Sequence, residues 1–163
     1  MALETGKKYT AKAACFASRV PHYKLNGWAR GGFLRKLTVT ARAGAWRRYS
    51  FEDVAIIASA GRLTDVGFEI RDAMDWALFA ANEKHHYGRL GKMTVRWYAE
   101  EGQFISYSVA PNVPPLPPGD PYLEFTVNID GIFDEVHARL VGSDDLDEDL
   151  FDPHAGKGGS GAA

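Results

Sequence analysis

Cysteine and long apolar stretches are scarce in this sequence of 163 residues. Cys15 is the only cysteine, which excludes an intrachain disulfide and any thiolate cluster that could hold a metal ion. No stretch reaches the apolar length needed to cross a bilayer, and the N-terminus lacks the apolar core of a secretion signal. We therefore expect a cytoplasmic globular protein of one or two domains, with no membrane partner.

The sequence also contains little that indicates catalysis. The segment GKGGSG at 156–161 matches a dinucleotide-binding pattern, but no predicted strand precedes it and no predicted helix follows it. His85 and His86 lie near Glu83 at the end of a helical pattern, where adjacent histidines point in different directions and suit a metal poorly. No nucleophile is paired with a base, so we expect no enzyme, no cofactor and no metal site.

The basic residues are distributed unevenly along the chain. Residues 1–50 hold eleven lysines and arginines against Glu4 alone, a net charge of +10. Residues 51–141 hold seven basic and fourteen acidic side chains, a net charge of −7, and residues 142–163 hold one lysine and six acids, a net charge of −5. A basic head of this kind indicates a polyanionic partner, and the alternative is a solvated positive face without a partner.

Two short helices are predicted at the start of the chain. Thr10 is a suitable cap for a helix that runs to about Ala17. Pro21 suits the first turn of a second helix, which runs towards Arg30 and stops at Gly31-Gly32. Two short helices joined by a brief turn form a helix-turn-helix unit.

A small hairpin, or wing, and two longer helices follow. The alternating LTVT segment, a turn at Ala43-Gly44 and the aromatic-basic WRRYS segment predict the hairpin. Ser50 begins the next helix, with Asp53 completing a capping box, and Gly67 closes it. Apolar residues then recur at helical spacing over residues 69–88.

The order of these residues resembles the MerR-type winged helix-turn-helix family. In that family a YTIGEVA-type helix leads to a recognition helix ending in GLL, and the wing returns through R-x-Y-S-x-x-D into a helix that closes with L-x-x-x-G-F. The positions in register, within residues 9–80, are Tyr9-Thr10, Leu25, Gly32-Phe33-Leu34, Arg47, Tyr49-Ser50, Asp53, Leu63 and Gly67-Phe68. Arg19 stands where the family has a turn glycine, and Asn26 where it has an arginine that commonly contacts phosphate. Because asparagine can pair with adenine, Asn26 can alter base preference without abolishing binding.

Candidate DNA contacts lie in the first turns of the second helix and around the wing. We predict groove contacts from Tyr23, Lys24 and Asn26. The candidates for phosphate or wing contacts are Arg30, Arg35, Lys36, Arg42, Arg47 and Tyr49. The resemblance implies backbone contacts for Arg47 and Tyr49, and the alternative for Tyr49 is a packed aromatic beneath the wing. The residues expected to pack inside the head are Leu25, Trp28, Phe33, Trp46, Val54, Ile57 and Leu63.

The second half of the chain departs from the family. Residues 89–141 predict a hairpin about Glu101-Gly102, a proline-rich connector, a strand at YLEFTVNI and a helix at DGIFDEVHARLVG. This region either packs on the preceding helix or forms a homodimer interface, which we favour. Residues 142–163 predict a disordered acidic and glycine-rich tail. The tail contacts a partner such as the transcription machinery, folds back as an inhibitor, or only aids solubility.

The sequence thus predicts an α+β protein with a winged helix-turn-helix head at residues 1–88, a small α/β region at 89–141 and a tail at 142–163. The expected function is that of a bacterial or phage transcriptional regulator that binds double-stranded DNA, associates with the nucleoid and pairs as a homodimer. The alternatives are a phage excisionase-like or architectural DNA-bending protein, and an interaction adaptor that has lost DNA binding.

Overall fold

The computed structural model describes residues 6–37, 47–100, 103–109 and 123–143 as an α+β fold, the class that the sequence predicts. The elements in chain order are α1 (Ala11–Ser18), α2 (His22–Arg30), α3 (Phe51–Asp65), α4 (Ile70–Tyr87), β1 (Lys92–Glu100), β2 (Gln103–Val109), β3 (Leu123–Asn128) and α5 (Ile129–Val141). Within these ranges, no helix combines the length and the apolar character needed to span a membrane.

The predicted helix starts are confirmed by their caps. The Thr10 side chain accepts a hydrogen bond from the Ala13 backbone N–H at 3.1 Å, and α1 begins at the next residue. At α3, the Asp53 N–H donates to Ser50 Oγ at 3.1 Å while the Ser50 N–H donates to the Asp53 carboxylate at 2.8 Å. Each pair satisfies backbone donors that a helix start leaves without partners, so both helix starts depend on short-range sequence.

The turn between α1 and α2 contains a residue in an uncommon conformation. Arg19 ends α1 with φ of +58°, and in the described parts of the chain it is the sole non-glycine residue with positive φ. The next residue, Val20, is buried beside α3. A Cβ atom added at Gly61 would lie 2.7 Å from Val20 Cγ2, so the glycine in α3 lets the turn dock closely.

Helix α3 is the centre of the hydrophobic core. Every residue from Asp53 to Gly61 is buried, which is typical of a helix covered on all sides. Small side chains such as Ala55, Ala58 and Ser59 allow α1, α4 and α5 to approach it. The expected core positions Leu25, Trp28, Val54, Ile57 and Leu63 are buried, and Phe33 is partly buried against them.

The three strands form an antiparallel sheet in the order β2-β1-β3, which confirms the predicted hairpin and third strand. The register pairs Met93 with Val127 and Val95 with Phe125. The Phe125 ring lies 5.1 Å from Phe68 and 6.4 Å from Trp76. The sheet is therefore held against the start of α4 by aromatic packing.

Helix α5 packs against α1 and α3. Ile129, Phe133, Val136 and Leu140 recur at helical spacing and are buried in the same core as the N-terminal helices. The domain boundary at residue 88 stays a prediction, whereas the place of α5 in that core is observed. Residues 38–46 of the predicted wing, which include the expected core residue Trp46, the predicted connector at 111–121 and residues 144–163 of the predicted tail lie outside the described residues.

Candidate nucleic-acid interface

Helix α2 has one buried face and one exposed face. Leu25 and Trp28 are buried against the other helices. Tyr23, the second residue of the helix, is 78% exposed, the largest value among the large hydrophobic side chains that the structure describes. Burial of one face therefore fixes the helix in place and leaves its opposite face available to a partner.

Asn26 lies at the centre of a small polar network on this face. Its Nδ2 is 3.2 Å from His22 Nδ1, one turn earlier on α2. Its Oδ1 accepts a hydrogen bond from Arg47 Nη1 at 3.4 Å. The amide is thus oriented from both ends, and a guanidinium from the segment leading into α3 lies beside the exposed face of α2.

Tyr49 is buried, and this corrects the predicted contact between its side chain and DNA. The residue is 1% exposed, and its backbone pairs with Tyr9 through hydrogen bonds of 2.7 and 2.9 Å. Burial raises the pKa of the Tyr49 phenol, although a hydrogen bond from the Arg47 guanidinium acts in the opposite direction. The packed-aromatic alternative is the one observed, and the backbone bridge joins Tyr49 to Tyr9, a distant residue in the sequence.

Two of the predicted cations form ion pairs within the chain. Lys24 Nζ lies 2.9 Å from the Asp65 carboxylate at the end of α3, and 5.6 Å from the centre of the Trp28 ring. Lys36 Nζ lies 2.8 Å from the Asp75 carboxylate on α4. Each of these two lysines therefore has a carboxylate partner that any DNA contact would have to displace.

Arg30 and Arg35 are exposed, and Arg42 lies outside the described residues. Arg35 folds over Gly32, where an added Cβ atom would be 2.9 Å from Arg35 Nε. Arg35 also lines a recess of about 290 Å³ whose opposite wall is α4. The lining residues are Gly32, Phe33, Arg35, Lys36, Arg71, Met74 and Asp75.

The recess brings Arg71 into the candidate site, a residue that sequence reasoning missed. Arg71 is exposed in the first turn of α4 and lines the same recess as Arg35. Nothing in the local sequence around Arg71 indicates this neighbour, because Arg35 lies in the turns after α2 and Arg71 on α4, and only the packing of the core brings the two segments together.

The structure therefore groups Tyr23, Asn26 and Arg47 on one surface, with Lys24 at its side held by Asp65. In the described ranges, no three histidine, cysteine, aspartate or glutamate side chains are placed to hold a metal ion. Burial raises the pKa of the Cys15 thiol to about 11, so the thiol is uncharged at neutral pH and unsuited to nucleophilic attack. What the surface presents to a partner is a combination of positive charge, an amide and an aromatic hydroxyl.

Comparison with known proteins adds no family assignment. No protein-family model matches this chain, and a search of curated proteins returned no significant match. The resemblance to the MerR family therefore remains a prediction that rests on the residues of this chain alone.

Proposed function

We propose that this chain is a sequence-specific DNA-binding transcriptional regulator built on a winged helix-turn-helix. In this proposal α1 and α2 form the helix-turn-helix, α2 enters the major groove, and Arg47 with the preceding segment contacts phosphates as the wing. The observation that carries the proposal is the exposed face of α2, where Tyr23 is free of the core and Asn26 is hydrogen-bonded to Arg47.

The chemistry of this face matches what DNA recognition requires. The major groove admits an α-helix, and an asparagine amide can pair with both hydrogen-bonding groups on the exposed edge of adenine. A guanidinium beside the helix supplies the phosphate contact that sets the register of the helix on the duplex. Asn26 and Arg47 lie within 3.4 Å of each other, so one docking geometry serves both contacts.

The conformation of Arg19 supports the resemblance to the MerR family. The family has glycine at this turn position, and glycine adopts positive φ without the steric cost that other residues incur. Arg19 has φ of +58° here. The departure in residue type thus leaves the backbone in the conformation that the family's glycine favours.

Pairing as a homodimer and a contact between the acidic tail and the transcription machinery belong to the same proposal. Dimers of DNA-reading proteins bind two half-sites, which doubles the number of base and phosphate contacts. The architectural DNA-bending function is the second DNA-binding candidate. The internal pairing of Lys24 and Lys36 with carboxylates favours the adaptor as the candidate from another class, because it lowers the free positive charge of the surface.

The experiment is a fluorescence-anisotropy titration of a mixed genomic DNA pool, with sequencing of the bound fraction, at about 50 and 200 mM salt. Enrichment of an inverted repeat, with affinity that falls steeply between the two salt concentrations, is the expected result. Salt-sensitive binding without enrichment would assign the architectural function instead. An absence of binding at low salt would overturn the DNA proposal and leave the adaptor.

A further inference from the structure

Glu135, on α5, is surrounded by three arginines next to the turn between α1 and α2. Arg19 Nε lies 2.6 Å from Glu135 Oε1, an ion pair rather than an aligned hydrogen bond. Arg62 Nη2, on α3, donates to Glu135 Oε2 at 3.3 Å, and Arg139 Nε lies 4.0 Å from Glu135 Oε1. One carboxylate thus balances guanidinium groups from the turn, from α3 and from α5 itself.

Arg139 attaches α5 to the end of α1. Its Nη1 donates a hydrogen bond to the Phe16 carbonyl at 2.8 Å, and its guanidinium lies 4.8 Å from the centre of the Phe16 ring. The last carbonyls of a helix lack partners within that helix, and a cation there also interacts favourably with the helix dipole. Arg139 therefore caps α1 from a different element.

The turn itself depends on such support. A non-glycine residue with positive φ is a strained position that persists when its surroundings hold it. Arg19 is held through its side chain by Glu135, and Val20 is held by its contact with Gly61 and by a hydrogen bond from its N–H to Ser18 Oγ at 3.2 Å. The direction in which α2 leaves the turn follows from these contacts.

The other end of α5 is fixed to the loop between α4 and β1. Asp130 is 6% exposed and accepts hydrogen bonds from the Lys84 ammonium and from the Gly91 backbone N–H, the latter at 2.8 Å. The Asn128 side chain accepts from the Gly131 N–H at 3.0 Å and so caps the start of the helix. Through these contacts α5 connects the loop between α4 and β1 with the turn between α1 and α2.

From these contacts we infer that α5 positions α2 for DNA recognition, with Glu135 and Arg139 as the positioning residues. The inference rests on the proposed function and goes beyond the family resemblance, which ends near residue 80, well before α5 begins at Ile129. Loss of the Glu135 charge leaves three guanidinium groups facing one another beside the turn. The repulsion between them displaces Arg19, and the orientation of α2 relative to the Arg47 side chain changes as a result.

The test compares Glu135→Gln with Asp134→Asn. Both variants replace an acid of α5 by its amide and change the net charge equally, but the Asp134 side chain is 71% exposed and pairs only with Arg89 among the ion pairs described. The measurement is the ratio of the Kd values for a shuffled duplex and for the duplex enriched from the genomic pool, at one salt concentration. Glu135→Gln is expected to lower this selectivity about fivefold, and Asp134→Asn to leave it unchanged.

A rescue variant separates positioning from general loss of stability. Arg19→Gly in the Glu135→Gln background removes one of the crowded cations and gives the turn a residue that adopts positive φ without strain. This double variant is expected to regain most of the selectivity. Equal selectivity in the wild type and Glu135→Gln, an equal loss in Asp134→Asn, or a double variant as unselective as Glu135→Gln would each overturn the inference.

A DNA-free measurement distinguishes failure of this inference from failure of the proposed function. Hydrogen exchange of the Val20 amide, followed by NMR, is expected to quicken in Glu135→Gln and to stay at the wild-type rate in Asp134→Asn. Faster exchange in a protein that binds no duplex would uphold the attachment of α5 to the turn and overturn its role in DNA recognition. Unchanged exchange in a protein that does bind DNA would overturn the inference alone.

Discussion

Acidic residues serve different purposes in two regions of the molecule. At the junction of α4 and α5, the Asp130 side chain is 9% exposed and its Lys84 partner is 19% exposed. At the recess beside Arg35 and Arg71, the side chains of the pair between Lys36 and Asp75 are 70% and 58% exposed. The first carboxylate is enclosed by donors, whereas the second is open to water.

Because the two environments differ, ion pairs of similar length contribute differently to the stability of the protein. A buried carboxylate that loses its charge leaves its cation without a partner away from water, which is strongly destabilising. An exposed pair contributes little, because water and salt screen it and both long side chains lose freedom. The ion pair of Asp130 therefore contributes to the stability of the fold. A lysine in a surface pair could exchange its carboxylate for a phosphate at little cost in free energy.

The largest expected effect is at the junction. Asp130→Asn removes the charge that Lys84 faces and weakens the hydrogen bond from Gly91, and it is expected to lower the free energy of unfolding by about 3 kcal/mol. Urea denaturation at pH 7 measures this change. Asp134→Asn is the matched control and is expected to stay within about 0.5 kcal/mol of the wild type. Equal losses in the two variants would remove the distinction between the buried and exposed acids.

The pH dependence of the free energy of unfolding tests the charge of the same carboxylate. Burial alone would raise the pKa of Asp130, but the hydrogen bonds from Lys84, Gly91 and Leu90 outweigh it and hold the pKa below its ordinary value of 3.8. A lowered pKa stabilises the fold above the unfolded-state pKa, and this stability is lost as the pH falls through the folded-state pKa. The gap in unfolding free energy between the wild type and Asp130→Asn should therefore narrow below about pH 4. Urea titrations from pH 7 to 3 that show a constant gap would contradict this assignment.

Features determined by neighbouring residues could be predicted from the sequence. The Thr10 cap and the reciprocal bonds between Ser50 and Asp53 each lie within three residues, and the helices they begin are confirmed. The strand pairing of β1 with β2 follows from alternation about a short turn, which is also local.

Features determined by packing between distant segments could not be predicted. Tyr49 is buried in the core and its backbone is bridged to Tyr9, forty positions earlier, and so the sequence left its role open. The contact of Glu135 with Arg19 spans more than a hundred residues, and no periodic pattern specifies which arginine a helix meets. The exposed face of α2 could be predicted, but the hydrogen bond between Asn26 and Arg47 could not.

A smaller effect is expected at the surface, where Arg47→Ala tests the proposed phosphate contact. The variant is expected to weaken DNA binding several-fold and to reduce the slope of log K against log salt by about 1. Anisotropy titrations over a series of salt concentrations measure both quantities. Arg96→Ala removes an equal charge from β1, where Arg96 pairs with Glu124, and should leave the slope unchanged. A wild-type slope in Arg47→Ala would place the phosphate contact elsewhere on the protein.

The smallest expected effect concerns the acids that compete with DNA for the surface lysines. Asp65→Asn removes the carboxylate partner of Lys24, and Asp75→Asn removes that of Lys36, so each lysine would contact DNA without first leaving a carboxylate. Each variant should strengthen DNA binding about two- to fivefold at low salt and change the free energy of unfolding by less than about 0.5 kcal/mol. Asp72→Asn on α4 removes the same negative charge, and among the described residues Asp72 takes part in no ion pair, so this variant measures the effect of net charge alone. If all three variants bind DNA equally well, the surface acids act only through net charge. If Asp65→Asn and Asp75→Asn bind DNA more tightly than Asp72→Asn, the exposed carboxylates are exchangeable partners of the lysines. The contrast with the buried carboxylate of Asp130 then holds.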